Sequence, residues 1–341
     1  MTQWQTYLNS LKAEIADGQV LHFGNPEAEL QAAATGNVLA DLSHLGLLQV
    51  EGDDRIAFLQ GQVTNDIKLL DGSNSHYTGQ CNPKGRMLAL FLAFAHHDYI
   101  HLQLNRQLLE PIMKRLKMYV LRSKVAITDV SDSIVRMGFA GAQAEGILQG
   151  VFTRVPQQDY ALASLDKAVL IRLPGSTPRY EILAQPEYAE EIWSALDAHA
   201  SLVGKPCWDW LEIQAGIPDI APATQEAFVP QMINLDALGG INFKKGCYTG
   251  QEIVARTHYL GKVKRRTHLA HIDGNSQPAA GDEVQDTAGI AGQIVRSAPH
   301  PAGGYDVLAE LRLESVEAGP LSWHETPLVI QPLPYSLERQ K

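Results

Sequence analysis

Along residues 45–130 the apolar positions switch between a two-residue and a 3.6-residue period, and each switch marks an element. The runs "LGLLQVEG" (45–52), "RMLALFLAF" (86–94), "YIHLQL" (99–104) and "SKVAITDV" (123–130) predict strands. "DDRIAFLQG" (53–61) predicts a short helix closed by Gly61. "RQLLEPIMKRLKMY" (106–119) predicts a longer helix with Leu108, Leu109, Ile112, Leu116 and Tyr119 on one face. Pro111 falls in its first turns, where proline is tolerated. The order strand, helix, strand, strand, helix, strand is the ferredoxin-like split βαβ arrangement.

A similar series follows. "IVRMGFAG" (134–141), "KAVLIRL" (167–173) and "RYEILA" (179–184) predict strands, and "AQAEGILQ" (142–149) a short helix. "PEYAEEIWSALDAHA" (186–200) is a helix with Tyr188, Ile192, Trp193 and Leu196 inward, and "PCWDWLEIQAG" (206–216) is also helical. Two related α+β halves place a ligand site at their interface. Beyond residue 262, short alternating runs broken by Gly, Pro and Asp predict a small antiparallel barrel or sandwich, joined through "GKVKRR" (261–266). At the start of the chain, Trp4, Leu8, Leu11 and Ile15 recur at helical spacing. The divisions are then 1–44 (helix and lead-in), 45–130 and 131–260 (the α+β halves) and 261–341 (the barrel).

Composition narrows the function. The 341 residues are 45% hydrophobic, enough to supply buried cores. A formal charge of −10 argues against a general nucleic-acid or membrane-surface binder. No apolar run approaches the roughly 18 residues of a membrane span, and charges interrupt the first helix, so it does not read as a signal peptide. A cytoplasmic, reduced protein is expected. Cys81, Cys207 and Cys247 form no CxxC pair and no zinc spacing. Three scattered thiols cannot supply a four-cysteine site, so no metal site is expected within one chain. A cluster shared with a second protein, with Cys247 as a transient ligand, stays open.

The segment "NFKKGCYTGQE" (242–252) concentrates the candidate chemistry. "TGQE" fits a capping box, with Thr249 as N-cap and Glu252 reaching back. Cys247 would then lie near the positive end of a helix, with Lys244 and Lys245 beside it, a setting that favours thiolate. Gly246 and Gly250 permit a sharp turn or a close approach. The nearest histidine, His258, is expected to face solvent, so no serine-protease-like triad is indicated.

"KGCYTGQE" resembles the signature of the YgfZ-type folate-binding proteins, relatives of the glycine-cleavage T-protein. The resemblance extends to "GQVTND" (61–66), "CNPKGRM" (81–87), "YVLRSKV" (119–125), "AGIP" (215–218), "FVPQMINL" (228–235) and "LGGINFKKGCYTGQEIVAR" (238–256). It implies an α+β, T-protein-like fold: two ferredoxin-like domains and a C-terminal antiparallel β-barrel around a central folate channel. It also implies a tetrahydrofolate or a derivative as cofactor, and an accessory role in assembling, maintaining or repairing iron–sulfur clusters. Partners would be iron–sulfur proteins or cluster carriers, such as the radical enzymes that thiolate tRNA. Lys245, Gly246, Cys247 and Tyr248 match the motif that carries this role, continued by Gly250, Gln251 and Glu252. Cys247 would be the working thiol, at the edge of the folate channel, and Lys245 its electrostatic partner or an anion contact. Folate contacts would fall at Trp208, Leu45, Gln214, Asn65 and Arg256, with Trp208 matching a ligand-flanking tryptophan.

Departures from the T-protein pattern weigh against aminomethyl transfer, the alternative function. Ala89 and Leu90 fall where that family carries aspartates, and Gln214 stands where it has a pterin-binding glutamate. Glu212 is not expected to substitute, since two residues along a helix turn it about 200° away. Two basic clusters, Lys114/Arg115/Lys117/Arg122/Lys124 and Lys262/Lys264/Arg265/Arg266, suggest anion binding. A tRNA-binding module is the third reading and the weaker one, because an acidic chain without an RNA module has little field to offer.

Overall fold

The computed structural model describes residues 2–259, 261 and 263–337; Lys262 of the second basic cluster lies outside them. In the first half, Leu45–Glu51, Met87–His96, Tyr99–Asn105 and Ala126–Asp129 form an antiparallel sheet in the spatial order second, third, first, fourth. That is the order the split βαβ pattern requires. Ser75–Cys81 adds a fifth strand at the edge, paired to Met87–His96. Its sequence, SHYTGQC, carries no apolar alternation, yet nearly every residue is buried. Helix Arg106–Val120 buries Leu108, Leu109, Ile112 and Leu116; Tyr119, expected on that face, is exposed at its end.

The second half repeats the pattern with Val135–Ala140, Ala168–Leu173, Arg179–Ala184 and Ser201–Val203, plus an edge strand Leu162–Ser164. Here an N-terminal strand intrudes. Val38–Asp41 inserts between Val135–Ala140 and Ser201–Val203, antiparallel to the first and parallel to the second. Val38–Asp41, within the stretch read from sequence as a lead-in, is thus a strand of this sheet. Helix Gln3–Ser10 is pinned by Trp4, whose Nε1 donates to Asp41 at 2.7 Å and whose ring meets Trp193 edge-on. Ile15 is not helical, as its spacing suggests, but lies in the hairpin Glu14–Ala16/Gln19–His22. Lys12, at φ 65°, has already turned the chain out of the helix.

The C-terminal strands Arg265–Ile272, Glu283–Asp286, Gly289–Pro299, Tyr305–Arg312, Leu321–Trp323 and Thr326–Gln331 close into a six-stranded barrel, leaving no open edge. Its joint is a clamp rather than a free basic linker. Arg266 donates to both Asp236 carboxylate oxygens, at 2.5 and 2.9 Å, and Arg265 pairs with Glu310. Among the described residues no helix is long and apolar enough to cross a membrane.

Candidate functional site

The sequence motifs that lie far apart in the chain meet in space. Thr64 Oγ1 donates to Gly240 O at 2.7 Å, Asn65 Nδ2 to Gly239 O at 2.8 Å, and the Asn242 and Thr249 amides reach back to Thr64 O and Gly61 O. Residues 61–66 and 238–249 are thus laced together. Lys245 completes the lacing. Its buried Nζ donates to Val63 O at 2.6 Å and Asn65 O at 2.7 Å and lies 5.1 Å from the Tyr248 ring centroid. Burial pushes this amine down to about 8, with Asp66 opposing. Two carbonyls and a ring face use its donors, so Lys245 is a strut rather than an open anion contact. The side-chain amide of Asn65 is also spent on backbone, on Tyr77 O and Gly239 O.

The helix that follows runs Gln251–Tyr259 and so begins later than a Thr249 cap would place it. Gly250 intervenes at φ +85°, in the left-handed region, which takes Thr249 out of the capping position. Gln251 Oε1 instead accepts the Tyr248 amide, and the Val254 amide donates to Gly250 O. Gly250 meets the turn at 82–86 almost backbone to backbone, and Gly85, at φ +69°, faces it. Of the two motif glycines, only Gly250 is held by geometry; a Cβ on Gly246 would meet nothing within 4 Å. His258 does not simply face solvent: it stacks on Phe243, ring centroids 3.7 Å apart. Arg256 and Glu252 are exposed on this helix.

Cys247 is exposed, whereas Cys81 and Cys207 are buried and burial pushes each of their thiols up to about 12. A thiol-disulfide exchange reagent should therefore titrate one thiol in the folded chain and three in denaturant. Loss of that single native reaction in Cys247→Ala assigns it; a second native thiol would contradict the burial. No group of three or more His, Cys, Asp or Glu side chains among the described residues could hold a metal ion.

A separate feature, a cavity of about 480 Å³, lies where both sheets, helix Lys205–Gln214 and the barrel strand Gly289–Pro299 converge. No residue of 242–252 lines it, so the structure does not place Cys247 at its edge. Of the expected folate contacts, Leu45 lines it. Trp208 is fully buried beneath the second sheet, its ring so close to Gly138 that a Cβ there would come within 2.5 Å. Gln214 turns to the barrel, where its Nε2 and the indole of Trp210 both donate to Asp306. That leaves Asp209 and Glu212, one turn apart, on the helix face toward the cavity. Arg296 holds both, each at 2.9 Å. Burial raises Asp209, but Lys205 and Arg296 outweigh it and hold it below the usual carboxylate range. Ala89 is fully buried and Leu90 and Leu92 present hydrocarbon to the cavity, so this strand offers it no carboxylate.

Three cavity groups with partnerless atoms among the described residues were not singled out from sequence: His44, with both ring nitrogens, and Gln103 and Glu181, with one oxygen each, from the two sheets. Gln103 Nε2 donates to Glu181 Oε2 at 2.9 Å, and burial pushes the Glu181 carboxyl up to about 7. The available signal was a lone glutamate in the otherwise apolar run "YEILA" and a lone glutamine in "IHLQL".

The GCVT N-terminal domain profile matches residues 19–241. The chain is 32% identical over 319 residues to the "tRNA-modifying protein YgfZ" of Sodalis glossinidius, covering 92% of this chain and 97% of that one. It is 32% identical over 310 residues to the protein of the same name from Yersinia pseudotuberculosis, covering 89% and 94%. The glycine cleavage system aminomethyltransferase T of Bartonella henselae superposes with a TM-score of 0.74 at 17% identity, covering 97% of this chain and 96% of that one, a likeness of fold. With sequence identity at this level along nearly its whole length, the chain belongs to the YgfZ family, within the larger group that carries the GCVT N-terminal domain.

Proposed function

We propose that this protein is a folate-binding accessory factor that maintains or repairs iron–sulfur enzymes, supports tRNA thiolation through them, and uses Cys247 as its working thiol. The observation that carries the reading is the placement of Cys247. It is the exposed thiol of the three, two residues from a buried lysine strut and three from a glycine that locks the next helix onto the turn at 82–86. Such a frame presents one sulfur at a fixed place to a partner. The name carried by its relatives supports a place in tRNA modification. Direct tRNA binding is not favoured: the net charge is −10, and Arg265 and Arg266 are held by Glu310 and Asp236. Aminomethyl transfer is not favoured either, given the hydrocarbon face of Leu90 and Leu92.

The cavity suits a reduced folate by its volume, by its apolar wall and by polar atoms that lack partners among the described residues. A bound folate would supply a carrier of one-carbon units and reducing equivalents. Leu90, Leu92 and Leu173 would pack its ring, and Gln103 and Glu181 would meet its polar edge.

The test is complementation in a strain lacking its own relative of this protein, scored as the level of thiolated tRNA nucleosides. Cys247→Ala should lower that level at least about tenfold while leaving the unfolding midpoint unchanged, since the side chain is exposed. Lys245→Ala should lower both, because it strips two buried carbonyls of their partner, at a cost of about 1–3 kcal/mol. Full activity from Cys247→Ala would overturn the working thiol.

A further inference from the structure

Residues 111–128 carry Lys114, Arg115, Lys117, Arg122 and Lys124 and no acidic residue, in a chain whose net charge is −10. Unlike Arg265 and Arg266, these cations are not consumed by the fold. Among the described residues the cluster's one ion pair joins Lys124 to Asp53, both of them exposed. The same stretch also exposes three apolar side chains, Met118, Tyr119 and Leu121.

Leu121 is the least expected of them, being 88% exposed. It sits at φ 44° and ψ −104°, and the Ser123 amide donates to Val120 O at 2.8 Å. That is the first central position of a type II′ turn, which glycine fills because a Cβ there is strained. Leucine gives the fold no packing here, and glycine would close the turn with less strain. A bulky apolar side chain held out on a strained turn serves a contact outside the chain.

The turn lies near the signature segment. The Lys124 amide donates to Asp54 Oδ2 at 2.8 Å, and the Asp54 amide to Lys124 O at 3.3 Å. Asp54 precedes the short helix Arg55–Gln60; just past the helix's other end, Gly61 O accepts the Thr249 amide and Val63 O accepts Lys245 Nζ. A helix of 6 residues spans about 9 Å. One partner face of ordinary size, about 800 Å², therefore covers both the turn and the Cys247 loop.

We propose that Met118, Tyr119, Leu121 and the cations around them form the docking surface for the protein that Cys247 serves, an iron–sulfur enzyme with an acidic face around an apolar pocket that takes Leu121. The identity of the partner rests on the function proposed above. Charge complementarity sets the sign of its face: an acidic chain repels an acidic partner except at such a cluster, which both attracts and orients it. The hydrocarbon of Leu121 and Met118 decides against RNA, whose bases stack on flat rings and guanidinium planes. A lipid surface would accept the same groups, but it offers the neighbouring thiol nothing to act on.

The experiment is biolayer interferometry on the full chain with three analytes: the cluster-loaded radical enzyme that thiolates tRNA, bulk tRNA, and vesicles of phosphatidylcholine with phosphatidylglycerol. The enzyme should bind, and a roughly fivefold rise in salt should weaken it about tenfold. Leu121→Gly should weaken it at least about tenfold while unfolding in denaturant no earlier than the wild type. A merely structural role would lower both. Lys117→Glu combined with Arg122→Glu should weaken binding and flatten the salt response. Ile290→Ser, which removes an exposed side chain from the barrel, is the control and should bind as the wild type does. In the complementation strain, raised expression of Leu121→Gly should restore tRNA thiolation and raised expression of Cys247→Ala should not, because a docking defect yields to mass action and a missing thiol does not. Failure of the wild-type chain to bind the enzyme, wild-type affinity in Leu121→Gly, or Leu121-dependent binding to tRNA or vesicles in place of the enzyme would overturn the proposal and leave the working thiol standing. Full activity from Cys247→Ala would remove the thiol, and the docking surface would then stand or fall on the interferometry.

Discussion

Replacing Gly250 with alanine should lower the stability of the whole chain by about 3–5 kcal/mol, the largest effect expected of any single change in the signature segment. Two costs combine. The residue sits at φ +85°, a conformation that L-residues occupy only with strain. The added methyl would also lie 2.5 Å from Asn82 O, 2.9 Å from Gly85 Cα and 3.1 Å from Cys81 Cβ. These are backbone atoms and a strand-end Cβ, not flexible side-chain tips. The turn they belong to is closed on itself: Gly85 N donates to Asn82 O, while Asn82 Oδ1 accepts from the Lys84 and Arg86 amides. It has no slack with which to yield. Gly246→Ala, four residues away, is the control and should stay within about 0.5 kcal/mol, because nothing lies within 4 Å of the new methyl. Denaturant unfolding of the two variants decides the matter. A wild-type midpoint for Gly250→Ala would mean that the helix Gln251–Tyr259 does not dock as described. The variant should also expose Cys81, adding a second reactive thiol to the native titration.

The architecture was legible where period and composition agree. Met87–His96 and Arg106–Val120 each show one period over many residues, and both form as read. It was illegible where tertiary burial overrides local pattern. Ser75–Cys81 is a strand because two neighbours enclose it, not because its residues alternate. Val38–Asp41 enters the second sheet from a distant part of the chain, a topology that local periodicity cannot encode. At the site, the signature segment was readable as a turn leading to a helix, but its lysine was read as a charge and is a hydrogen-bonding strut. Side-chain type does not say whether an ammonium will find carbonyls or solvent; that depends on residues 61–66, some 180 positions away. The same holds for Glu181. Its isolation in an apolar strand was visible, yet its meaning depends on a glutamine in the opposite sheet.

Glu181→Gln should make the protein more stable at pH 8 and change little at pH 5. Burial pushes the wild-type carboxyl up to about 7 in the folded chain, from an ordinary glutamate value of 4.5. Between those values the folded chain keeps a proton that the unfolded chain has released. Wild-type stability therefore falls as pH rises through this window, and above it the full penalty is present, about 3 kcal/mol for a shift of this size. An amide at this position carries no charge to desolvate. It can still accept from Gln103 Nε2, and its own NH2 can donate to Gln103 Oε1, an atom with no partner among the described residues in the wild type. The difference in unfolding free energy between variant and wild type should thus grow from near zero below pH 5 to about 3 kcal/mol above pH 7 and then level off. A difference that is flat with pH, or a variant less stable at pH 8, would show that the carboxyl is not held up by burial. The carboxylate is thus held at the expense of the stability that an amide would provide in the same place.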